Sequence, residues 1–292
     1  MTTVNIDTKS ATDAPRRRLH IDISRLWRKP SFGLAVVFLV VLSLIAIFAP
    51  VLAPYDPIKQ NLANALAPFS SQHWLGTDDL GRDVLSRMIW GARPTLLGTV
   101  IAITTACLIG IPWGLVAGYC GGIIDMVLMR LVDSVLVFPG AVLALALTAA
   151  FGPSLLSTMA SLGIVFSPVL ARIVRAGVLT VSYKDYVTVT RMYGLSSWHR
   201  MYNHVLPNVM APTVVQITLL AGLSVLAQTG LNFLGVGVPS PQPSWGSSVG
   251  ETFRYVVVDP TAPVVPGIAV VLTVLALYRV GDECRNLLDI DR

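Results

Sequence analysis

Tyr183–Pro207, YKDYVTVTRMYGLSSWHRMYNHVLP, is a polar interruption between two long apolar blocks. It carries Lys184, Arg191 and Arg200, together with His199 and His204, in a chain that is otherwise mostly hydrocarbon. Helix-forming residues run from Tyr186 to Tyr193, Gly194 follows, and a second amphipathic run ends at Pro207. That order predicts helix, break, helix. A short surface helix held between membrane segments is a natural docking element for a soluble partner.

The rest of the composition supports a bilayer setting. Hydrophobic residues make up 54% of the chain and charged residues 13%, with a mean hydropathy of +0.69. Soluble domains carry about 25% charged residues. The apolar residues fall in long blocks, which predicts membrane helices rather than one large core. The formal net charge is +5, but the basic residues cluster at the ends of apolar blocks. Orientation in a bilayer explains that placement better than nucleic-acid binding does. Cys107, Cys120 and Cys284 have no metal-ligand spacing and their odd number argues against a disulfide framework.

Six apolar blocks can be counted outward from the opening stretch. Residues 1–30 are a polar, basic N-terminal segment, and Ser31–Ala53 is a first span of about 23 residues without a charge. A secretory signal peptide has a shorter apolar region, so a retained anchor is expected. A polar outer segment to Arg93 follows, so residues 31–93 form the first span and its loop. The second block is Pro94–Gly118, with Gly110, Pro112 and Gly114; the third is Ile123–Ala150 and the fourth Pro153–Val181. The fifth covers Val209–Val236, a Pro-rich polar loop occupies Gly237–Ala262, and the sixth covers Pro263–Val280. Residues 94–283 are expected to hold five core helices, and 284–292 a tail. With six spans both termini share a side. Alternating loop assignment puts 15 of the 21 Lys and Arg residues on the side of the termini and the opening stretch. The positive-inside bias then predicts that all three are cytoplasmic.

Chemistry-bearing residues are few. Arg130 and Asp133, three apart in the third block, are expected to form a structural ion pair on one helix face. Gln216, Gln228 and Asn232 lie in the fifth block. They can bond across helices or line a pathway for a polar solute. There is no GxxxxGK[ST] phosphate loop, no HExxH metal signature and no GxSxG serine. The sequence therefore predicts a non-enzymatic subunit with no metal and no cofactor of its own, and no nucleic-acid partner. If ATP drives transport, the energy comes from a partner.

Four segments then carry a resemblance. WLGTDDLGRDVLSRMIWGAR (Trp74–Arg93), GYCGGIIDMVLMRLVDSVLVFPG (Gly118–Gly140), LNFLGVGVPSPQPSWG (Leu231–Gly246) and PGIAVVLTVLALYRVGDECRNLLD (Pro266–Asp289) are similar, in order, to those of permease subunits of bacterial ABC importers of the dipeptide/oligopeptide/nickel type. The chain resembles the six-span subunit of such a permease pair. The resemblance implies an all-α, polytopic fold of the type I ABC importer permease class. It implies a homologous second permease subunit as heterodimer partner, two ATPase domains that bind ATP and Mg, an extracytoplasmic solute-binding protein, and a bacterial plasma-membrane location.

The opening stretch then corresponds to the cytoplasmic loop that docks on the ATPase. The family spacing is kept around Gly194, Leu206 and Pro207, whereas Thr188, Val189 and Thr190 stand where relatives carry Glu-Ala-Ala and His204 where they carry Ile. Tyr186, Arg191 and Leu195 complete the docking residues so implied. Gln228 stands where relatives usually carry Glu, so no carboxylate role transfers to it. A secondary transporter would need an ion-coupling site and usually an internal repeat, and a scaffold subunit would leave the four segments unexplained.

Overall fold

The computed structural model describes residues 29–290. The basic N-terminal segment through Arg28 and the last two residues lie outside them. Among the described residues the fold is all-α, with one isolated bridge between Thr77 and Asp83 in place of any strand.

The first apolar block is α1 (Pro30–Ile47), continued by one turn, α2 (Ala49–Leu52). Pro30 opens α1, where its missing N–H has no intrahelical partner to lose. The outer segment that follows is irregular except for a 3-10 turn at Leu62–Asn64. It ends at Asp83, whose carboxylate accepts from the Ser86 N–H at 2.8 Å and caps α3 (Val84–Cys120). This helix starts ten residues ahead of Pro94, the expected start, and holds both Pro94 and Pro112 in its interior. Its 37 residues reach about 55 Å, so its first turns stand clear of a hydrocarbon layer of about 30 Å.

The third block is two helices, α4 (Gly122–Val137) and α5 (Gly140–Phe151), bent by 95°. The cause is local. Pro139 forces Phe138 out of the helical region to ψ 139°, and the chain turns there. Next comes α6 (Leu155–Ser182), opened by a reciprocal cap between Ser154 and Ser157. It lies along α3 at close range because Gly110, Gly114 and Gly118 present bare backbone. A methyl group on Gly110 would sit 2.6 Å from the Ser167 carbonyl oxygen. Small residues at this spacing bring helices together inside a bilayer, where packing rather than the hydrophobic effect drives association.

The opening stretch holds α7 (Asp185–Met192) and α8 (Ser197–Arg200). A wide turn, Met201–Val205, then joins α8 without a break to α9 (Leu206–Phe233). Pro207 therefore does not end the second amphipathic run. The Leu206 N–H reaches back five residues to Met201, which widens the turn where the Pro207 ring needs room. The Pro-rich outer loop contains α10 (Trp245–Phe253), and α11 (Val264–Ile290) closes the chain. The expected tail is therefore mostly helix, since α11 runs through it to Ile290.

Among the described residues, five helices are long and apolar enough to cross a bilayer, or six when the bent pair counts as one span. The start of α1 meets the last turns of α11. Lys29 Nζ, at the start of α1, lies 2.6 Å from Glu283 Oε2 near the end of α11.

The expected ion pair is corrected by this packing. Asp133 pairs with Arg172 of α6 at 2.5 Å, and Asp125 pairs with Arg175 at 2.5 Å, while no ion pair joins Arg130 to Asp133. Both α4 carboxylates face α6, so they bind across the helix pair rather than along their own helix. The two pairs are partly exposed, which makes them more useful for register than for stability.

Candidate functional site

Tyr183–Pro207, the stretch expected to dock a partner, is built on an apolar foundation. Val187, Met201 and Val205 are buried in one cluster with Leu115, Val174, Val178, Val209 and Leu220, drawn from α3, α6 and α9. That cluster ties the surface segment to three spanning helices. Gly194 makes the turn between the two short helices at φ +71°, a conformation that costs a side-chain-bearing residue about 1–2 kcal/mol. The Ser196 hydroxyl accepts from the His199 N–H at 3.2 Å and starts α8.

The opposite face is open and aromatic. Tyr183 and Tyr193 are each 82% exposed and Trp198 is 63% exposed. Trp198 stacks on Tyr202 with ring centres 5.8 Å apart. Tyr186, Val189 and Leu195 are exposed beside them. The Thr190 hydroxyl donates to the Val187 carbonyl at 2.7 Å, so it is spent within α7. His204 lies 5.9 Å from the His199 ring, across the wide turn. Leu206 and Pro207 open α9. The side chains of Thr188 and Arg191 lie outside the described residues.

Gln228 and Asn232 sit inside the fold. Gln228 is 1% exposed, and its amide donates to the Pro94 carbonyl at 2.8 Å, in a space that Gly98 leaves open. Asn232 accepts from the Val238 N–H at 3.1 Å and anchors the outer loop to the end of α9. Both make the cross-element bond. Gln216 is partly exposed.

The sequence reading missed a buried charge cluster at the outer end. Arg82 Nε donates to Asp78 at 2.6 Å and its Nη2 to Glu251 at 2.7 Å, while Arg87 Nη2 reaches the same Glu251 oxygen at 2.7 Å. Arg87 Nη1 also donates to the Pro57 carbonyl at 3.2 Å. Two guanidinium groups thus balance two carboxylates and join the outer segment, α3 and α10. Trp245 reinforces the joint through its indole N–H to the Met88 carbonyl at 2.9 Å. The four-residue spacing of Asp78 and Arg82 was visible in the sequence, but Glu251 lies 169 residues further on. Nearby, burial pushes the Tyr255 phenol well above its ordinary range, helped by the negative charges of Asp78, Asp79, Glu251 and Asp259.

An all-α chain whose described residues hold five or six apolar spans, with exposed aromatic side chains at Tyr183–Pro207 on a segment anchored to three spanning helices, is built as an integral membrane protein. The comparisons agree. Residues 110–289 match the family described as binding-protein-dependent transport system inner membrane component, and residues 22–68 match the N-terminal TM domain of oligopeptide transport permease C. The chain is similar to a dipeptide transport system permease protein of Alkalihalophilus pseudofirmus, at 37% identity over 88% of this chain and 85% of that one. It is 38% identical to a di/tripeptide transport system permease protein of Pseudomonas aeruginosa, over 87% and 86% of the two chains. A glutathione transport system permease protein of Pectobacterium atrosepticum is 35% identical over 87% and 85%. The chain belongs to the binding-protein-dependent inner-membrane component family, as a multi-pass, non-enzymatic permease component of an ABC transporter.

Proposed function

We propose that this chain is the six-span permease subunit of an ATP-driven importer of di- or oligopeptides or a similar small solute, and that Tyr183–Pro207 receives the push of the ATPase. The observation that carries this reading is the two-sided build of the stretch. Val187, Met201 and Val205 lock it into α3, α6 and α9, and its aromatic face stays open. A force applied to that face passes into three spanning helices at once.

The partners follow from the family. A second, homologous permease subunit completes the pathway, two ATPase domains bind ATP and Mg, and an extracytoplasmic protein delivers the solute. Several relatives are named as peptide or glutathione permeases, which supports a peptide-like cargo. Both termini and the docking stretch face the cytoplasm in this reading. The Lys29–Glu283 contact between the start of α1 and the end of α11 and the clustering of basic residues in the flanking sequence support this reading. Closure of the ATPases draws the two docking segments together, and the membrane halves rock between inward- and outward-facing states.

The test is solute-stimulated ATP hydrolysis by the assembled complex. Gly194→Val places a β-branched residue at φ +71° and should lower the stimulation, whereas Gly194→Asn, which tolerates that region, should keep most of it. Equal stimulation in the native protein and the Val variant contradicts the proposal.

A further inference from the structure

A cavity of about 670 Å³ lies at the outer end of the fold, between the segment that follows α2 and the outer parts of α3 and α6. Tyr55 and Asp56 line it from that segment, Trp90, Arg93 and Leu97 from α3, and Leu155 from α6. The Arg93 guanidinium lies over Trp90, with its carbon 5.2 Å from the ring centre. Among the described residues no carboxylate oxygen is within 4.0 Å of it. Asp56 Oδ1 accepts from the Ile58 N–H at 2.9 Å, and no described Lys or Arg nitrogen is within 4.0 Å of that carboxylate. The undescribed side chains belong to the two chain ends and to Tyr183–Pro207, which the reading above places on the other face of the membrane. One cavity thus holds a cation and an anion that do not pair with each other. From it an exposed apolar strip continues along α3 through Leu97, Val100 and Leu108, which are 56%, 61% and 72% exposed.

We infer that this cavity holds the headgroup of phosphatidylethanolamine, with the phosphate on Arg93, the primary ammonium at Asp56 and an acyl chain along the α3 strip. Depth supports a lipid. The half-exposed Asp133–Arg172 pair and the Asp125–Arg175 pair mark the cytoplasmic headgroup level on α6. A hydrocarbon layer of about 30 Å takes about 20 helical residues, which leads from Arg175 back along α6 to its start at Leu155. Gly114 of α3 packs on Ala171 and Val174, beside those arginines, and the same count back along α3 reaches Pro94. Two helices therefore put Leu155 and Arg93 at the outer edge of the hydrocarbon. Tyr55 and Trp90, residue types that favour that level, stand around them. A guanidinium with its N–H groups free of carboxylates is a phosphate ligand. The second charge chooses the headgroup. Phosphatidylglycerol has no cation for Asp56, and the quaternary ammonium of phosphatidylcholine has no N–H to donate. A zwitterionic peptide carries both charges but has no acyl chain for Leu97, Val100 and Leu108. The bound lipid joins the outer segment, through Asp56, to the spans, through Arg93. The inference rests on the membrane orientation proposed above.

The assembled importer, in nanodiscs holding equal amounts of phosphatidylethanolamine, phosphatidylglycerol and phosphatidylcholine, tests this by native mass spectrometry of retained lipid. Phosphatidylethanolamine should be retained over both others. Arg93→Gln should lower its retention about fivefold, the effect of one cation beside a lipid phosphate. Asp56→Asn should remove the preference for phosphatidylethanolamine over phosphatidylcholine. Photoactivatable phosphatidylethanolamine on the unaltered complex provides a readout that needs no variant, and should label α3 between Trp90 and Leu97. Equal retention of the three lipids, native retention in Arg93→Gln, an unchanged preference in Asp56→Asn, labelling only elsewhere, or displacement of the lipid by a millimolar dipeptide each overturns the inference. Absence of the lipid preference with intact solute-stimulated ATP hydrolysis removes the lipid site and leaves the docking role. If ATP hydrolysis loses its response while the lipid is still retained, the docking role falls and the lipid site stands.

Discussion

Glu251 Oε2 accepts from Arg82 and from Arg87, each at 2.7 Å, so one carboxylate holds two buried guanidinium groups. Both arginine side chains are 3% exposed, and removing their shared partner leaves positive charge buried against Asp78 alone. Glu251→Ala should therefore destabilise the protein by about 3 kcal/mol, the lower end for a broken buried pair, because Glu251 keeps some access to water. Denaturant or thermal unfolding in detergent measures it, and a loss below about 1 kcal/mol, the level of a surface pair, would show that water screens the cluster. Tyr255 gives a pH dependence at the same place. Its phenol is raised in the folded protein, so the neutral form is the one folding favours. Its contribution is complete below the unfolded value of about 10 and is lost as pH rises above that value toward the folded one. Between pH 9 and 11 the melting temperature should fall more steeply in the native protein than in Tyr255→Phe. Parallel curves would remove Tyr255 from the cause.

At the level of elements, α3 against α6 is the joint most sensitive to volume. Gly114 packs its backbone on Ala171 and Val174, so Gly114→Leu has no space and should cost about 1–3 kcal/mol or more, read as lost yield of assembled complex. Normal yield and melting would mean that the two helices can separate without penalty. Some of these elements were legible in the sequence. Gly194 marked the break in Tyr183–Pro207 because a positive φ needs glycine, whereas Gly110 and Gly114 allowed a close helix contact or a kink, and only the packing of α6 decides for the contact. The wide turn at Met201–Val205 had no signature, since it answers to the ring of Pro207 within an otherwise helical run. The early start of α3 was hidden because Arg82 and Arg87 look like loop charges until Glu251 is placed beside them. Asp133 was read as the partner of Arg130 on spacing alone; only the packing of α4 on α6 brings in Arg172.

For the whole molecule, span count and family were readable because apolar blocks and motifs need only local sequence. The bend within the third block and the interior roles of Gln228 and Asn232 depend on what packs alongside. The proposed function turns on the side of the membrane that Tyr183–Pro207 occupies and on what sits on its aromatic side chains. A cysteine in place of Tyr193, 82% exposed and clear of the buried anchor, reports both at once when Cys107, Cys120 and Cys284 are replaced by serine. In membranes containing the whole importer, a short thiol-reactive photo-crosslinker on that cysteine should join this chain to the ATPase subunit. An adduct to the extracytoplasmic solute-binding protein, or none to the ATPase while solute-stimulated ATP hydrolysis persists, would contradict the docking role.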